Sequence, residues 1–173
     1  MELMVFKGDV PEAVLDALVE IYIECFTGPP RFETWSPEDV RSHINQFIES
    51  GADCFVITED KEVVAFSIGI EMKNYFNKEM LIEQGADESS YYFAELGTKT
   101  KFRGRGYGTL LQQAREEEAR KKGLKLLSVR VRKDNEAVIR LLERRGFEQV
   151  GEYTASIQGS ETVRLVLQKN LES

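Results

Sequence analysis

A short basic and glycine-rich segment constrains this chain more than any other feature. Residues 103–108 read Arg-Gly-Arg-Gly-Tyr-Gly, between a strand predicted over Tyr91–Lys99 and a helix predicted from about Tyr107 to Lys122. The first backbone N–H groups of a helix have no intrahelical acceptor, and glycines let an anion approach the main chain closely. The two arginines add charge-assisted contacts. The segment therefore predicts a turn that binds a phosphate group.

Two familiar phosphate-binding loops do not explain this turn. The pattern G-x-x-x-x-G-K-[ST] of nucleoside triphosphate sites does not occur in it. The dinucleotide pattern G-x-G-x-x-G also fails, because Thr109 stands where the third glycine would be required. The turn is thus of another kind.

The remaining hydrophobic pattern predicts a mixed α/β sheet with helices on both faces. Predicted strands are Leu3–Lys7, Cys54–Thr58, Val63–Met72, Tyr91–Lys99, Leu124–Val131, Phe147–Tyr153 and Thr162–Gln168. Predicted helices, besides the one after the turn, run from Pro11 to about Phe26, from Pro37 to Glu49 and from Asn135 to Arg145. Lys73–Ser90 is interpreted as a loop with a role in substrate binding. No repeat or linker divides the sequence, which predicts a single domain over residues 1–173.

Charge is distributed unevenly along the chain. Between Lys99 and Arg145 there are fifteen Lys or Arg against six Asp or Glu, although the whole chain carries a net charge of −7. The rest of the chain therefore has a net charge of −16. A basic segment in an acidic protein favours a small bound polyanion and disfavours long nucleic acid. The alternative is that these basic residues only form the solvated faces of two helices.

Few residues are available for metal or thiol chemistry. One histidine, His43, and two cysteines, Cys25 and Cys54, make neither a credible metal site nor a disulfide framework. His43 is interpreted as a helix-surface residue. We therefore expect no bound metal.

The sequence shows neither the pattern of a signal peptide nor an apolar run long enough to span a membrane. We expect no signal peptide, no membrane span and a cytoplasmic location.

Residues 95–147 resemble the GCN5-related N-acetyltransferase (GNAT) family. Arg103, Gly106 and Gly108 match its signature [RQ]-x-x-G-x-[GA]. The second family motif, an asparagine with a following alanine and then an apolar helix ending in Gly-Phe, is matched further along by Asn135, Ala137, Leu141, Gly146 and Phe147. The resemblance implies the GNAT fold, a central twisted mixed sheet of six to seven strands flanked by about four helices.

The resemblance also implies acetyl-CoA as co-substrate. Its pyrophosphate would lie on the turn, its 3′-phosphate on nearby basic side chains, and its pantetheine arm along β-strand backbone, where the strands Tyr91–Lys99 and Leu124–Val131 splay apart. The implied binding residues are Leu96, Gly97, Thr98, Arg103, Gly104, Arg105, Gly106, Tyr107, Gly108, Thr109 and Asn135.

Glu95 is the implied catalytic residue, acting as a base toward the amine directly or through a water. The alternative is an outward strand residue without a catalytic role. A backbone N–H near Thr98 would stabilise the oxyanion.

Leu142 occupies the place of the tyrosine that often protonates the thiolate in this family. A water or another tyrosine must therefore serve, and the candidates are Tyr75, Tyr91, Tyr92 and Tyr153. Arg130 stands where members that acetylate protein N-termini carry a glutamate, which argues against that substrate.

The acceptor is the least specified part of the prediction. Phe26–Trp35 resembles a segment of aminoglycoside acetyltransferase relatives, or is simply a hydrophobic connector. Acidic residues favour a small cationic amine as substrate; they are Glu33, Glu38, Asp39, Glu79, Glu83, Asp87 and Glu88. Two alternatives remain: a CoA-binding regulatory module without turnover, and an enzyme acting on a protein N-terminus, a lysine or aminoacyl-tRNA. No nucleic acid or membrane partner is expected, and a homodimer is left open.

Overall fold

The computed structural model describes residues 1–28, 31, 33–157 and 159–172. In chain order the elements are β1 (Glu2–Lys7), α1 (Glu12–Thr27), α2 (Pro37–Glu49), β2 (Asp53–Glu59), β3 (Glu62–Glu71), α3 (Lys78–Glu83), β4 (Tyr91–Thr98), α4 (Tyr107–Lys121), β5 (Leu126–Arg132), α5 (Glu136–Arg144), β6 (Glu148–Ile157) and β7 (Ser160–Asn170). Short 3₁₀ turns lie at Met72–Asn74 and Thr100–Phe102. The strand order is β1-β2-β3-β4-β5-β7-β6, with β4 and β5 parallel. This confirms the mixed sheet of six to seven strands.

Two compact units divide the chain. The first contains residues 1–70 and 95–115, and the second contains residues 71–94 and 116–173. Strand β4 contributes to both, because the division falls between Ala94 and Glu95. The single domain over residues 1–173 stays a prediction.

The first unit is built on the antiparallel strands β1, β2 and β3. The β2–β3 hairpin turns at Asp60 and Lys61, whose φ angles of 48° and 68° give the left-handed turn that suits the twist of paired strands. Helix α2 begins as predicted: Ser36 caps it by accepting a hydrogen bond from the Asp39 amide at 3.1 Å, and Pro37 takes the first helical position. Apolar side chains of the hairpin and of α4 form one hydrophobic cluster, with Phe55, Ile57, Val64, Ala65, Tyr107 and Leu111 buried in it.

The second unit is built on β5, β7 and β6, and on the start of β4. Residues Tyr91–Phe93 pair in parallel with Leu127–Val129, and β5 and β6 pair with β7 in antiparallel register. One face of these strands carries a hydrophobic cluster that contains Tyr91, Phe93, Ala119, Leu127, Val131, Leu142, Phe147, Leu165 and Leu167. The glycine predicted to end α5, Gly146, has the positive φ of 95° typical of a helix terminus.

The structure corrects the prediction in two places. Lys73–Ser90 is not entirely a loop, because it contains the 3₁₀ turn and α3, which brings the α-helices among the described residues to five. A six-residue helix is too short to show a helical period; it forms here because Leu81 and Ala86 become buried. The last two strands are also longer than predicted. Of the predicted aromatic segment Phe26–Trp35, the residues Pro29, Pro30 and Phe32 lie outside the described residues.

Candidate active site

The glycine-rich turn of the first unit has the open backbone that phosphate binding requires. Gly104 and Gly106 have φ angles of 78° and 84°, which side chains rarely allow. A Cβ atom placed on Gly104, Gly106 or Gly108 would meet nothing within 4 Å among the described residues. The amide of Leu110 donates to the Gly106 carbonyl at 3.1 Å, so the N–H groups between them precede the first helical hydrogen bond. These are the amides of Tyr107, Gly108 and Thr109.

The two arginines of the turn have different surroundings. Arg105 forms an ion pair with Glu59 at 3.0 Å and lies over the Phe102 ring. Arg103 instead donates from Nε to the Thr98 carbonyl at 3.3 Å, and among the described residues no carboxylate lies within ion-pair distance of it. Arg103 therefore keeps an uncompensated positive charge beside the turn, whereas Glu59 largely neutralises Arg105.

Tyr107 packs inward from the start of α4. Its ring is buried in the hydrophobic cluster of the first unit. A hydrogen bond to the Glu59 carboxylate raises the pKa of its hydroxyl group. The Tyr107 side chain thus anchors the turn, which leaves its backbone amide as the candidate group for contact with a phosphate.

The end of β4 places backbone groups and not side chains at the candidate site. Leu96 packs against the hydrophobic cluster of the first unit. Gly97 is tightly enclosed, because a Cβ there would lie 3.0 Å from a ring carbon of Phe66 and 3.3 Å from Cys25 Sγ. The Thr98 carbonyl accepts hydrogen bonds from the Cys25 thiol at 3.4 Å and from Arg103.

The Glu95 side chain is paired with the only histidine of the chain. Glu95 Oε1 lies 3.0 Å from His43 Nε2, and the two side chains are 13% and 23% exposed. The buried guanidinium of Arg115 holds the backbone of β4 and of β3. Its Nη1 atom donates to the carbonyl of Glu95 at 3.3 Å and to that of Ile68 at 3.4 Å. Glu95 is therefore a largely buried and well-oriented carboxylate, and its catalytic role stays a prediction.

His43 lies among aromatic side chains. Its prediction as a helix-surface residue was therefore wrong. Its ring centroid lies 5.7 Å from that of Tyr22, 5.6 Å from that of Trp35 and 5.2 Å from that of Phe47. Such contacts hold the imidazole in one orientation. The helical period contained the signal for this, because His43 is three residues after buried Val40 and four before buried Phe47.

The second unit holds the other predicted residues. Asn135 caps α5, accepting a hydrogen bond from the Val138 amide at 3.4 Å. Leu142, the residue in the place of the family's tyrosine, is only 1% exposed in the hydrophobic cluster of this unit. Tyr91 lies in the same cluster, whereas the Tyr153 hydroxyl accepts a hydrogen bond from Arg130 Nη1 at 3.0 Å.

Neither a metal cluster nor a membrane helix is found in the described part of the chain. Groups of three or more His, Cys, Asp or Glu side chains that could hold a metal ion do not occur among residues 1–28, 31, 33–157 and 159–172. In the same ranges no helix has the length and apolarity needed to cross a membrane.

Comparison with solved structures shows the same fold in several acetyltransferases. A ribosomal-protein-alanine N-acetyltransferase from Brucella melitensis has a TM-score of 0.72 at 21% identity, covering 97% of this chain and 99% of its own. An N-acetyltransferase from Staphylococcus aureus Mu50 has a TM-score of 0.73 at 16% identity, covering 99% of both chains. A GNAT family acetyltransferase from Elizabethkingia anophelis, with acetyl-CoA bound, has a TM-score of 0.63 at 13% identity, covering 98% of both. No curated protein sequence matches the chain.

A match of the sequence to a family profile shows the family, which a similar fold alone does not. The profile of the Acetyltransferase (GNAT) family matches residues 15–147, well over half of the chain, and this range includes both motifs. The predicted GNAT fold and the predicted class of enzyme, an acetyl-CoA-dependent acyltransferase, are thereby confirmed. The chain belongs to the GNAT family of acetyltransferases.

Proposed function

We propose that this chain, folding as one cytoplasmic domain, acetylates a small primary amine by direct attack in a ternary complex. The observation that carries the proposal is the position of Glu95. Its carboxylate, on strand β4, is held by His43 of helix α2, and the residues that follow β4 lead to the glycine-rich turn. A base and a phosphate-binding turn thus belong to one unit of the structure.

The turn and the end of β4 fit acetyl-CoA, which supplies an acetyl group activated as a thioester. Three amides at the start of α4 and the uncompensated charge of Arg103 would bind the pyrophosphate. The backbone of Leu96, Gly97 and Thr98 would align the pantetheine arm, with the enclosed Gly97 keeping that backbone in place. The remaining residues proposed for the cofactor are Gly104, Arg105, Gly106, Tyr107, Gly108, Thr109 and Asn135.

Glu95 would remove the proton that blocks the amine. A primary alkylamine is mostly protonated near pH 7, and only the free amine has the lone pair needed for attack. Glu95 accepts that proton directly or through a water, and the free nitrogen attacks the thioester carbon to form the C–N bond. The nitrogen loses a second proton as the C–S bond breaks, and of the two protons one reaches the thiolate and the other the solvent. A backbone N–H near Thr98 would stabilise the oxyanion. The thiolate acid is a water or one of the tyrosines, because Leu142 cannot serve.

The acceptor is proposed to be a small amine that arrives as a cation. The net negative charge outside residues 99–145 and the largely buried carboxylate of Glu95 support this choice. Part of the predicted acidic surface is already used locally: Glu88 pairs with Lys78 at 3.3 Å, and Asp87 accepts from Ser89 at 2.6 Å. These loop carboxylates thus have partners, as Glu95 has in His43, and Glu95 is proposed for the ammonium group because it lies in the same unit as the glycine-rich turn.

The proposal is tested by release of free CoA from acetyl-CoA with a panel of amines. The panel contains polyamines, aminoglycosides, amino acids, peptides with free N-termini and aminoacyl-tRNA, and mass spectrometry identifies the acetylated product. We expect turnover with at least one small amine. Turnover only with peptides or aminoacyl-tRNA would replace the proposed acceptor. Binding of acetyl-CoA without release of CoA above the uncatalysed rate would indicate a regulatory module.

A further inference from the structure

Strand β5 is apolar on one face and polar on the other. Leu127 and Val131 are buried in the hydrophobic cluster of the second unit, and Val129 packs against it. Because successive side chains of a strand point to opposite faces, Ser128 and Arg130 lie on the other face. Ser128 is buried there and shares a hydrogen bond with Ser90 at 2.8 Å.

Three tyrosines surround Arg130 on this polar face. Its Nη1 atom donates to the Tyr153 hydroxyl at 3.0 Å. Tyr92 and Tyr75 also interact with the guanidinium and, Tyr92 foremost, raise its pKa. Both of these tyrosines are at most 5% exposed, and their ring centroids are 4.8 Å apart. The charge therefore has the Tyr153 hydroxyl as its hydrogen-bond partner and two further tyrosines nearby, and it is only partly buried.

No carboxylate compensates Arg130 within the described residues. Other cations of the same unit have acidic partners, as Arg132 has Asp134 at 2.8 Å and Lys133 has Glu152 at 3.3 Å. A tyrosine hydroxyl can satisfy one N–H of the guanidinium, but it does not neutralise the charge. A part-buried and uncompensated charge is costly, and it gains most from an anionic ligand.

The segment 73–90, predicted to bind substrate, forms part of this cluster through Tyr75. It is packed closely onto β6 and β7: the Asp87 amide donates to Gln168 Oε1 at 2.9 Å, and a Cβ at Gly151 would overlap the Gln84 carbonyl. Tyr75 is thus held over the strands by a well-packed segment, which gives the cluster fixed walls.

We propose that Arg130, with the Tyr153 hydroxyl beside it, binds the carboxylate of a small organic ligand. A planar guanidinium forms two parallel hydrogen bonds with a carboxylate, and a phenol can add a third. Amino acids carry such a carboxylate, and the amines that remain after its removal lack it, so the two sets of compounds test this cluster directly. Binding of the carboxylate does not rest on the proposed function, whereas acetylation of an amino acid does.

The test compares amino acids with the amines that remain when their carboxylate is removed. Phenylalanine is paired with phenylethylamine, lysine with cadaverine and histidine with histamine, and so on through the natural amino acids. Calorimetry and CoA release are measured in the presence of CoA and acetyl-CoA, respectively. We expect at least one amino acid to bind about tenfold or more tightly than its partner amine, as a charge-assisted contact provides.

Variants assign the effect to Arg130. Arg130→Gln should abolish the preference for the carboxylate, and Arg130→Lys should retain part of it. Arg132→Gln is the matched control, since it removes a positive charge from the same strand but one that Asp134 already neutralises. If Arg130→Gln does not fold, Tyr153→Phe replaces it and should weaken the preference about threefold or more.

The outcomes separate this inference from the proposed function. Acetylation of amines with no carboxylate preference within threefold would overturn the inference and leave the proposed function standing. A carboxylate preference that Arg130→Gln and Tyr153→Phe both retain would overturn it too. Carboxylate binding that depends on Arg130, but without CoA release, would support the inference and contradict the proposed function.

Discussion

His43 Nε2 lies 3.0 Å from Glu95 Oε1, although the two residues are 52 positions apart in the sequence. Helix α2 supplies the imidazole and strand β4 the carboxylate. Both side chains are largely shielded from solvent, and three aromatic rings fix the imidazole. The pair therefore presents the candidate base in one orientation, which efficient proton transfer requires.

The first prediction concerns this pair. His43→Phe keeps a ring among the aromatic neighbours but cannot bond to Glu95, so kcat should fall about 10- to 100-fold, as loss of a hydrogen bond to a charged group allows. His43→Gln still offers an Nε2–H donor and should recover much of that loss. The KM for acetyl-CoA should stay within about twofold in both variants.

A variant on the exposed side of α2 serves as the control for His43. Arg41 pairs with Glu12 and Asp16 at the surface, so Arg41→Gln should leave kcat unchanged. Equal kcat in His43→Phe and wild type, in folded protein, would show that the imidazole does not position Glu95.

The second prediction concerns the backbone of the turn. Gly106→Val places a β-branched residue at a φ of 84° beside the expected pyrophosphate, and should abolish detectable acetyl-CoA binding by calorimetry. Gly123→Val is a matched control, because Gly123 has a φ of 75° and equally open surroundings at the end of α4. The free energy of unfolding of Gly123→Val should fall by about 1–3 kcal/mol, but this variant should bind acetyl-CoA as tightly as wild type. Equal binding by both variants would mean that the turn is structural only.

The third prediction separates the two arginines of the turn. Arg103→Gln should weaken acetyl-CoA binding by about 10- to 100-fold, since its charge has no carboxylate partner among the described residues. Arg105→Gln should weaken it less than threefold, because Glu59 already holds that charge at 3.0 Å. Dissociation constants from titration of both variants provide the measurement, and the reverse order would contradict the arrangement.

The fourth prediction concerns the two free thiols. Burial raises the pKa of Cys54 to about 12, so almost no thiolate forms at pH 8, and the side chain is 1% exposed. Iodoacetamide at pH 8 should therefore modify Cys25 and leave Cys54 intact until the protein is unfolded. Peptide mapping by mass spectrometry distinguishes the two sites, and modification of Cys54 in the folded protein would contradict its burial.

Sequence reasoning succeeded where local chemistry determines the structure. The cap at Ser36, the turn after β4 and the end of α5 at Gly146 are each determined by a few neighbouring residues, and all were predicted. Helix α3 was missed because six residues carry too little periodicity, and because its burial depends on distant strands.

Pairs distant in sequence were not predictable in the same way. His43 was predicted on the helix surface although helical spacing relates it to the buried residues of α2, and only the fold shows which acid it meets. The unequal surroundings of Arg103 and Arg105 likewise depend on Glu59, which lies in another strand. Such contacts depend on tertiary structure, and a local sequence motif carries no information about them.

The most direct test of the account is the pH dependence of turnover in Glu95→Gln, with the best amine from the panel. The variant keeps the size and hydrogen-bonding capacity of the side chain but cannot accept a proton. We predict an unchanged dissociation constant for acetyl-CoA, a fall in kcat of about 100-fold at pH 7, and a deficit that shrinks at higher pH as more of the amine is free. A rise in the KM of the amine with little change in kcat would show that Glu95 only attracts the ammonium group. If kcat and KM both stay within about threefold of wild type from pH 6 to pH 9, Glu95 is neither the base nor the amine site, and the account is contradicted.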